Sequence, residues 1–325
     1  MRAPTWLVLF ASLVAGCGAL GGSAGATSHD PEQNEGGSST TGAQGGSSNV
    51  GGSSSASVGG RGGEGGTLSP IGPAGDFAEQ VDVDGVARSY RLYVPESAVG
   101  SMQSGNVPIL VALHGAGDTG DNFISATLLK STADQNAFVL LGPDAYDGGG
   151  GGAWFLHDNE GWPGADGTSN SLGNDVGFVL KILDDVSAAY RIDPKRRFVC
   201  GFSRGAGFTG GWAIMSDNAQ FTKLANLSVE SPFAAYGVSA GFDMFGGQID
   251  AAQSSPKRPA WIMHGTSDQA VPFSLGEGLS QSLQAAGYPV TFTPVSGAPH
   301  GWMWRTQYGH DNQELWDWFL QNSLE

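Results

Sequence analysis

The sequence predicts an α/β domain: a doubly wound, mainly parallel sheet with helices on both faces. Three observations lead to that class. From Val81 to the C-terminus, short apolar runs alternate with amphipathic runs of helical period. One run, Val107-Pro108-Ile109-Leu110-Val111-Ala112-Leu113, is almost unbroken, as in a parallel strand buried on both faces. The stretch from Arg197 to Phe208 reads as a strand, a Gly-x-Ser-x-Gly turn at Gly201–Gly205, and a helix start.

The elements follow in order. Val81–Val86 and Arg88–Val94 form an opening antiparallel pair around an Asp84-Gly85 turn. After the buried strand, a helix from about Ile124 to Asn136 leads into a strand at Phe138–Leu141. A long loop rich in Gly and Trp comes next, and Asn174-Asp175 opens a helix through Tyr190. Its apolar positions Val176, Phe178, Val179, Ile182, Leu183 and Val186 share one face. Beyond the Ser203 turn and its helix come strands near Leu227–Tyr236 and at Arg258–Met263, then a helix from Leu275 to Ala286. A strand at Val290–Pro294 and a helix from about Asn312 to Gln321 close the domain.

The first 76 residues are of another kind. Arg2, an apolar run from Trp6 to Val14, and Ala15-Gly16 before Cys17 read as a leader too short for a comfortable membrane span. Val14-Ala15-Gly16-Cys17 resembles a bacterial lipobox, which makes residues 1–16 a lipoprotein signal and Cys17 the lipidated N-terminus. An ordinary secretory signal with an incidental cysteine is the alternative. Residues 17–76 are dominated by Gly, Ser, Thr and Ala and cannot bury enough apolar surface to offset chain entropy, so a disordered tether is expected. The folded domain is placed at 77–325. The expected location is extracytoplasmic, on a membrane or cell surface.

Charge and cysteine usage exclude other classes. The chain carries a net charge of −16, and the five acidic and two basic residues before Phe77 leave −13 for the domain. An acidic domain without Lys/Arg clusters argues against nucleic acid and against electrostatic binding to anionic lipid. With Cys17 lipidated, Cys200 stands alone, which excludes an intramolecular disulfide and a Cys-based metal site. Cys200 lies in an apolar strand and reads as a small buried hydrophobe.

A serine hydroxyl needs a base within hydrogen-bond reach, itself oriented by a carboxylate. Gly201 and Gly205 allow Ser203 to sit on a tight turn, and the helix behind it aims N–H groups at the site. Downstream, Asp268 follows the strand Trp261-Ile262-Met263 in His264-Gly265-Thr266-Ser267-Asp268, where an orienting acid or a turn residue belongs. Only His300 and His310 lie beyond Asp268. His300 directly follows the last strand and is the expected base, whereas His310 suits a cap. His264 is expected to organise its own loop. The oxyanion donors are the backbone N–H of Arg204 and, from Leu113-His114-Gly115-Ala116-Gly117, that of Ala116. Trp154, Trp162, Trp302 and Trp304 lie in loops, and Trp154 and Trp302 are expected to wall the substrate; core packing is the alternative. The loop from Asp144 to Gly173 is a candidate flap.

These residues carry a resemblance. From about Val81 onward the chain resembles the polyhydroxybutyrate depolymerase and feruloyl esterase group of α/β-hydrolases. The resemblance rests on Leu113–Gly117, Asn174–Phe178, Tyr190–Arg197, the Ser203 turn, His264–Asp268 and His300-Gly301-Trp302. It implies hydrolysis of carboxylic esters by Ser203, His300 and Asp268 through an acyl-enzyme, without a cofactor or an obligate protein partner. The implied substrates are phenolic esters, polyhydroxyalkanoate-type polyesters or related small esters. Many members carry a cysteine in the oxyanion loop, where this chain has Ala116, and that departure bears on polymer cleavage. Two further readings remain: a peptidase or amidase of the same fold, and a catalytically silent surface-binding module.

Overall fold

The structure is a computed structural model that describes residues 71–146, 154, 175–225 and 228–325. The expected leader, Cys17 and the expected tether as far as Pro70 lie outside the described residues, as do Phe155, Trp162, Asn174 and Leu227.

The chain enters the fold through a hairpin, β1 (Gly75–Val83) and β2 (Val86–Val94). Asp84 (φ 54°) and Gly85 (φ 83°) both take left-handed conformations, the backbone that a two-residue hairpin loop needs to match strand twist. A short helix, α1 (Glu96–Met102), precedes β3 (Val107–Leu113), whose seven residues are all buried. The predicted helix at 124–136 is two helices, α2 (Gly120–Ala126) and α3 (Leu129–Asn136). They break at Leu128, which adopts a left-handed φ of 64° between them. β4 (Val139–Pro143) and α4 (Asp175–Ala189) follow. Next come β5 (Ile192–Phe202), α5 (Arg204–Met215) and α6 (Ala219–Ala225).

The strand expected near 227–236 is instead β6 (Ala235–Ser239). Pro232 has no N–H to give, so pairing on both sides of a central strand starts only after it. β7 (Ala260–Gly265), α7 (Phe273–Ala285), β8 (Val290–Val295) and α8 (Asn312–Gln321) complete the chain. Asp311 caps α8 by accepting the Glu314 N–H at 2.8 Å.

The sheet order is β1-β2-β4-β3-β5-β6-β7-β8. The β1–β2 and β2–β4 pairs are antiparallel, and every pair from β4 through β8 is parallel. Because side chains alternate along a strand, the sheet builds two cores. Ile109, Val111 and Leu113 face α4, α5 and α7; Leu110 and Ala112 face α2, α3 and α8. Cys200 lies in the second core, free and buried, where desolvation pushes its thiol well above the ordinary range. All parallel strands end on one side, so the loops after β3, β5, β6, β7 and β8 share one rim.

The boundary expected at 77 falls inside β1. Ile71 packs against the core, the Gly72 N–H donates to Ala189 O at 3.0 Å, and the Tyr190 hydroxyl donates to Pro73 O at 3.0 Å. Residues 71–76 are held by these contacts and belong to the fold.

Candidate active site

Ser203 stands between β5 and α5 with φ 55° and ψ −116°, a conformation outside the regions that residues other than glycine favour. What holds it there is close backbone packing. A Cβ on Gly201 would lie 2.3 Å from Gly205 O, and one on Gly205 would lie 2.3 Å from Leu113 O. Both positions therefore exclude any side chain, which is the physical content of the Gly-x-Ser-x-Gly pattern. The Ser203 N–H donates to Ser239 O at 3.0 Å, tying the turn to the end of β6.

The loops after β7 and β8 bring the other two residues to it. His300 Nε2 lies 2.9 Å from Ser203 Oγ, and His300 Nδ1 lies 2.7 Å from Asp268 Oδ2. A carboxylate only accepts, so Nδ1 carries the hydrogen and Nε2 presents its lone pair to the serine hydroxyl. Asp268 Oδ1 accepts from the N–H groups of Ala270 (2.9 Å) and Val271 (2.8 Å). Burial works to raise the Asp268 carboxyl. The hydrogen bonds from His264, His300 and the Val271 N–H outweigh it and hold the group well below the usual carboxylate range. The Phe202 ring lies 4.7 Å from the His300 ring. His310 is elsewhere, with Nδ1 2.7 Å from Glu314 Oε2 on α8.

The loop after β3 lies against the serine. A Cβ on Gly115 would sit 3.1 Å from the Phe202 ring and 3.4 Å from Ser203 Cβ, so this loop runs in contact with the serine turn. His114 is buried and shapes the loop with its ring. Its Nε2 accepts from the Ala145 N–H at 2.9 Å, which leaves Nδ1 as donor to Gly115 O at 2.7 Å. Burial keeps its pKa below the ordinary histidine range. Since the peptide is planar and trans, holding Gly115 C=O inward turns the Ala116 N–H the other way. Ala116 is exposed, and Arg204 is the first residue of α5.

Two expected substrate residues are placed differently. Trp154 is fully buried, stacks on Phe208 at 5.2 Å, and donates its indole N–H to His114 O at 2.8 Å. Trp302 is 4% exposed, packs edge-on to Phe123 at 5.4 Å, and donates to Asn312 Oδ1 at 2.9 Å. Large rings with a polar edge are satisfied best in a core that offers one acceptor. Both tryptophans are therefore core residues that hold the loops after β3 and β8 from beneath; Trp304 is buried as well.

Sequence reasoning missed Ser239. Its Oγ accepts the Met303 N–H at 2.9 Å and donates to Gly301 O at 3.1 Å, which anchors the loop that carries His300. Nothing in its local pattern marks that role, because its partners are more than sixty positions away. Among the described residues, no group of three His, Cys, Asp or Glu side chains is placed to hold a metal ion, and no helix is long and apolar enough to cross a membrane.

Residues 88–289, well over half of the chain, match the profile of the family described as Esterase PHB depolymerase. The chain belongs to that family. Membership puts it among the ester hydrolases. It is similar to a bifunctional acetylxylan esterase/xylanase of Neocallimastix patriciarum, 27% identical over 200 residues that cover 62% of this chain and 24% of the relative. A feruloyl esterase B of Thermothelomyces thermophilus is 26% identical over 250 residues, covering 71% of this chain and 80% of the relative. With the first of these and with a feruloyl esterase B of Piromyces equi, the chain spans less than a third of the relative's length. Among solved structures, an S-formylglutathione hydrolase from Agrobacterium tumefaciens aligns with a TM-score of 0.54 at 16% identity. It covers 76% of this chain and 94% of that one. A ferulic acid esterase aligns at 0.52 and 14% identity, over 74% and 95% of the two chains. These likenesses show the α/β-hydrolase fold.

Proposed function

We propose that this family member is a serine carboxylic ester hydrolase that works through an acyl-enzyme. The observation that carries the reading is the continuous hydrogen-bonded line Ser203–His300–Asp268 at 2.9 and 2.7 Å. Ser203 Oγ attacks the ester carbonyl carbon as His300 Nε2 takes the hydroxyl proton. The N–H groups of Arg204 and Ala116 receive the oxyanion. The C–O bond to the alcohol breaks as His300 returns the proton to the leaving oxygen. Water, deprotonated by His300, then releases the acid and restores the serine. Asp268 stays ionised throughout and keeps the imidazole in the tautomer the first step needs.

The substrates we propose are feruloyl-type phenolic esters, polyhydroxyalkanoate-type polyesters or related small esters. Similarity to feruloyl and acetylxylan esterases supports esters of plant polymers. With Trp154 and Trp302 buried, the half-buried Phe202, its ring 4.7 Å from that of His300, offers an apolar surface beside the base. The leader read at residues 1–16, Cys17 directly after it and the Gly/Ser-rich stretch that follows support a lipid-anchored enzyme working outside the cytoplasm.

The full chain is expected to hydrolyse short-chain p-nitrophenyl esters and to be labelled at Ser203 by a fluorophosphonate. Ser203→Ala is expected to lower kcat on the order of 10⁶-fold with its circular dichroism unchanged. A chain that is folded yet neither labelled nor active would reject the reading. Methyl ferulate, acetylated xylan and polyhydroxybutyrate, compared by kcat/KM, choose among the ester classes.

A further inference from the structure

We propose that His264 is a positioning residue of this site: its Nε2–H closes the Asp268–Val271 turn and shares the Asp268 carboxylate with His300. The proposal rests on reading Ser203, His300 and Asp268 as the acyl-transfer triad.

His264 is the penultimate residue of β7, and its side chain is fully buried. Nε2 lies 2.9 Å from Val271 O and 3.3 Å from Asp268 Oδ2. Both oxygens are acceptors, so Nε2 carries the hydrogen and offers it to the two of them. Val271 answers with its own N–H, 2.8 Å from Asp268 Oδ1. The result is a closed ring of contacts from His264 to Val271, to the carboxylate, and back to His264. Asp268 Oδ2, the oxygen that orients His300, thus faces two imidazoles, at 2.7 and 3.3 Å.

The ring of His264 has little freedom to leave this arrangement. A Cβ on Gly276 of α7 would lie 2.1 Å from His264 Nδ1, so the helix backbone is seated directly on the imidazole. Phe273 meets the ring edge-on at 5.9 Å. Nδ1 is buried and has no hydrogen-bond partner among the described residues. An unpartnered buried polar atom destabilises the fold, and an apolar side chain of similar size would fill the space without that penalty. What an apolar residue lacks is the Nε2 hydrogen.

The consequence for the chemistry is electrostatic as well as geometric. The titratable groups facing Asp268 are His264 from the end of β7 and His300 from the loop after β8. α7 presents Phe273 and Gly276 to His264, and neither titrates. A hydrogen shared with His264 spreads the carboxylate charge and pins the oxygen toward His300. Without it, Asp268 holds a protonated His300 more strongly while aligning the neutral one less well.

The test uses the full chain with His264→Gln, whose amide nitrogen reaches about as far as Nε2, and His264→Leu, which offers no donor. His264→Leu is expected to lower kcat roughly tenfold, the loss of one hydrogen bond to a charged group. It is also expected to move the acid limb of the kcat/KM–pH profile to higher pH. His264→Gln is expected to recover most of both. Should His264→Leu not fold, His264→Asn, too short to reach Asp268, takes its place against His264→Gln. Equal loss in the Gln variant and its donor-less counterpart, or an unmoved acid limb, would overturn the proposal and leave His264 a packing residue. Fluorophosphonate labelling of the wild-type chain separates the two failures. An unlabelled wild type rejects the triad reading itself, whereas a labelled wild type with indifferent variants rejects only the role of His264.

Discussion

The turn that carries Ser203 and the two loops that meet it are built by different forces. Around Ser203 the geometry comes from backbone atoms packed so closely that Gly201 and Gly205 admit no Cβ. Around Asp268 and His300 it comes from side-chain and N–H hydrogen bonds: two amides and two imidazoles on one carboxylate, and Ser239 Oγ beneath the His300 loop. The root of the acid loop, where a Cβ on Gly265 would lie 2.2 Å from Ala298 O, is packed as the turn is. The contrast teaches that the two halves should fail differently. Steric construction breaks when a methyl is added and is indifferent to pH. Polar construction breaks when a donor or acceptor is removed, and part of it titrates.

The contrast is most exposed to refutation at Gly205. Gly205→Ala would drive its Cβ into Leu113 O and His114 O, so the whole strand-to-helix junction must move. Urea unfolding is expected to show a loss of at least about 3 kcal/mol, or no folded protein at all. A stable, fully active alanine variant would mean that close backbone contact does not set the turn.

On the polar side, Asp268→Asn keeps the shape and reverses the hydrogen-bonding logic at His300 Nδ1. A fall in kcat of about 10⁴-fold is expected. Stability responds too, with a definite sign. The folded carboxyl lies below its unfolded value, so its contribution is complete above the ordinary Asp range near about 4 and fades as pH falls toward the folded value. Unfolding midpoints of wild type and Asp268→Asn should therefore converge in acid, and parallel curves would count against the carboxylate as the titrating element.

Ser239→Ala removes one atom that serves two backbone groups of the His300 loop. The expected cost is about 1–3 kcal/mol in unfolding free energy, with kcat lowered more than KM is raised. Trp154→Phe keeps the stacked ring and deletes only the hydrogen bond to His114 O. About 1 kcal/mol and less than about tenfold in kcat are expected. A larger effect on KM than on kcat would return Trp154 to the substrate.

Much of this was legible along the chain because it is local. Ser203 is announced by the two glycines its turn requires, and the loops of Asp268 and His300 follow directly on strands with unambiguous apolar patterns. The order of strands and helices along the chain follows from the same patterns. Other features were not legible, for reasons that can be named. The break at Leu128 depends on a left-handed residue that no glycine signals. The late start of β6 turns on Pro232, which follows a stretch where Leu227 and Val229 alternate with Ser228 and Glu230 as a strand would. Residues 71–76 look like more of the Gly/Ser-rich stretch, and Tyr190, far off in sequence, is what holds Pro73.

The sequence by itself determined the fold class, the family and the three residues that line up at the rim, since each rests on short-range pattern and chain order. Tertiary structure alone decided which polar and aromatic groups stand behind them. Trp154 and Trp302 became braces, and Ser239 and His264 became supports, because burial and hydrogen-bond pairing are properties of surfaces that meet from distant parts of the chain. A residue type states what a side chain can donate or bury, and only the packed structure supplies the partner.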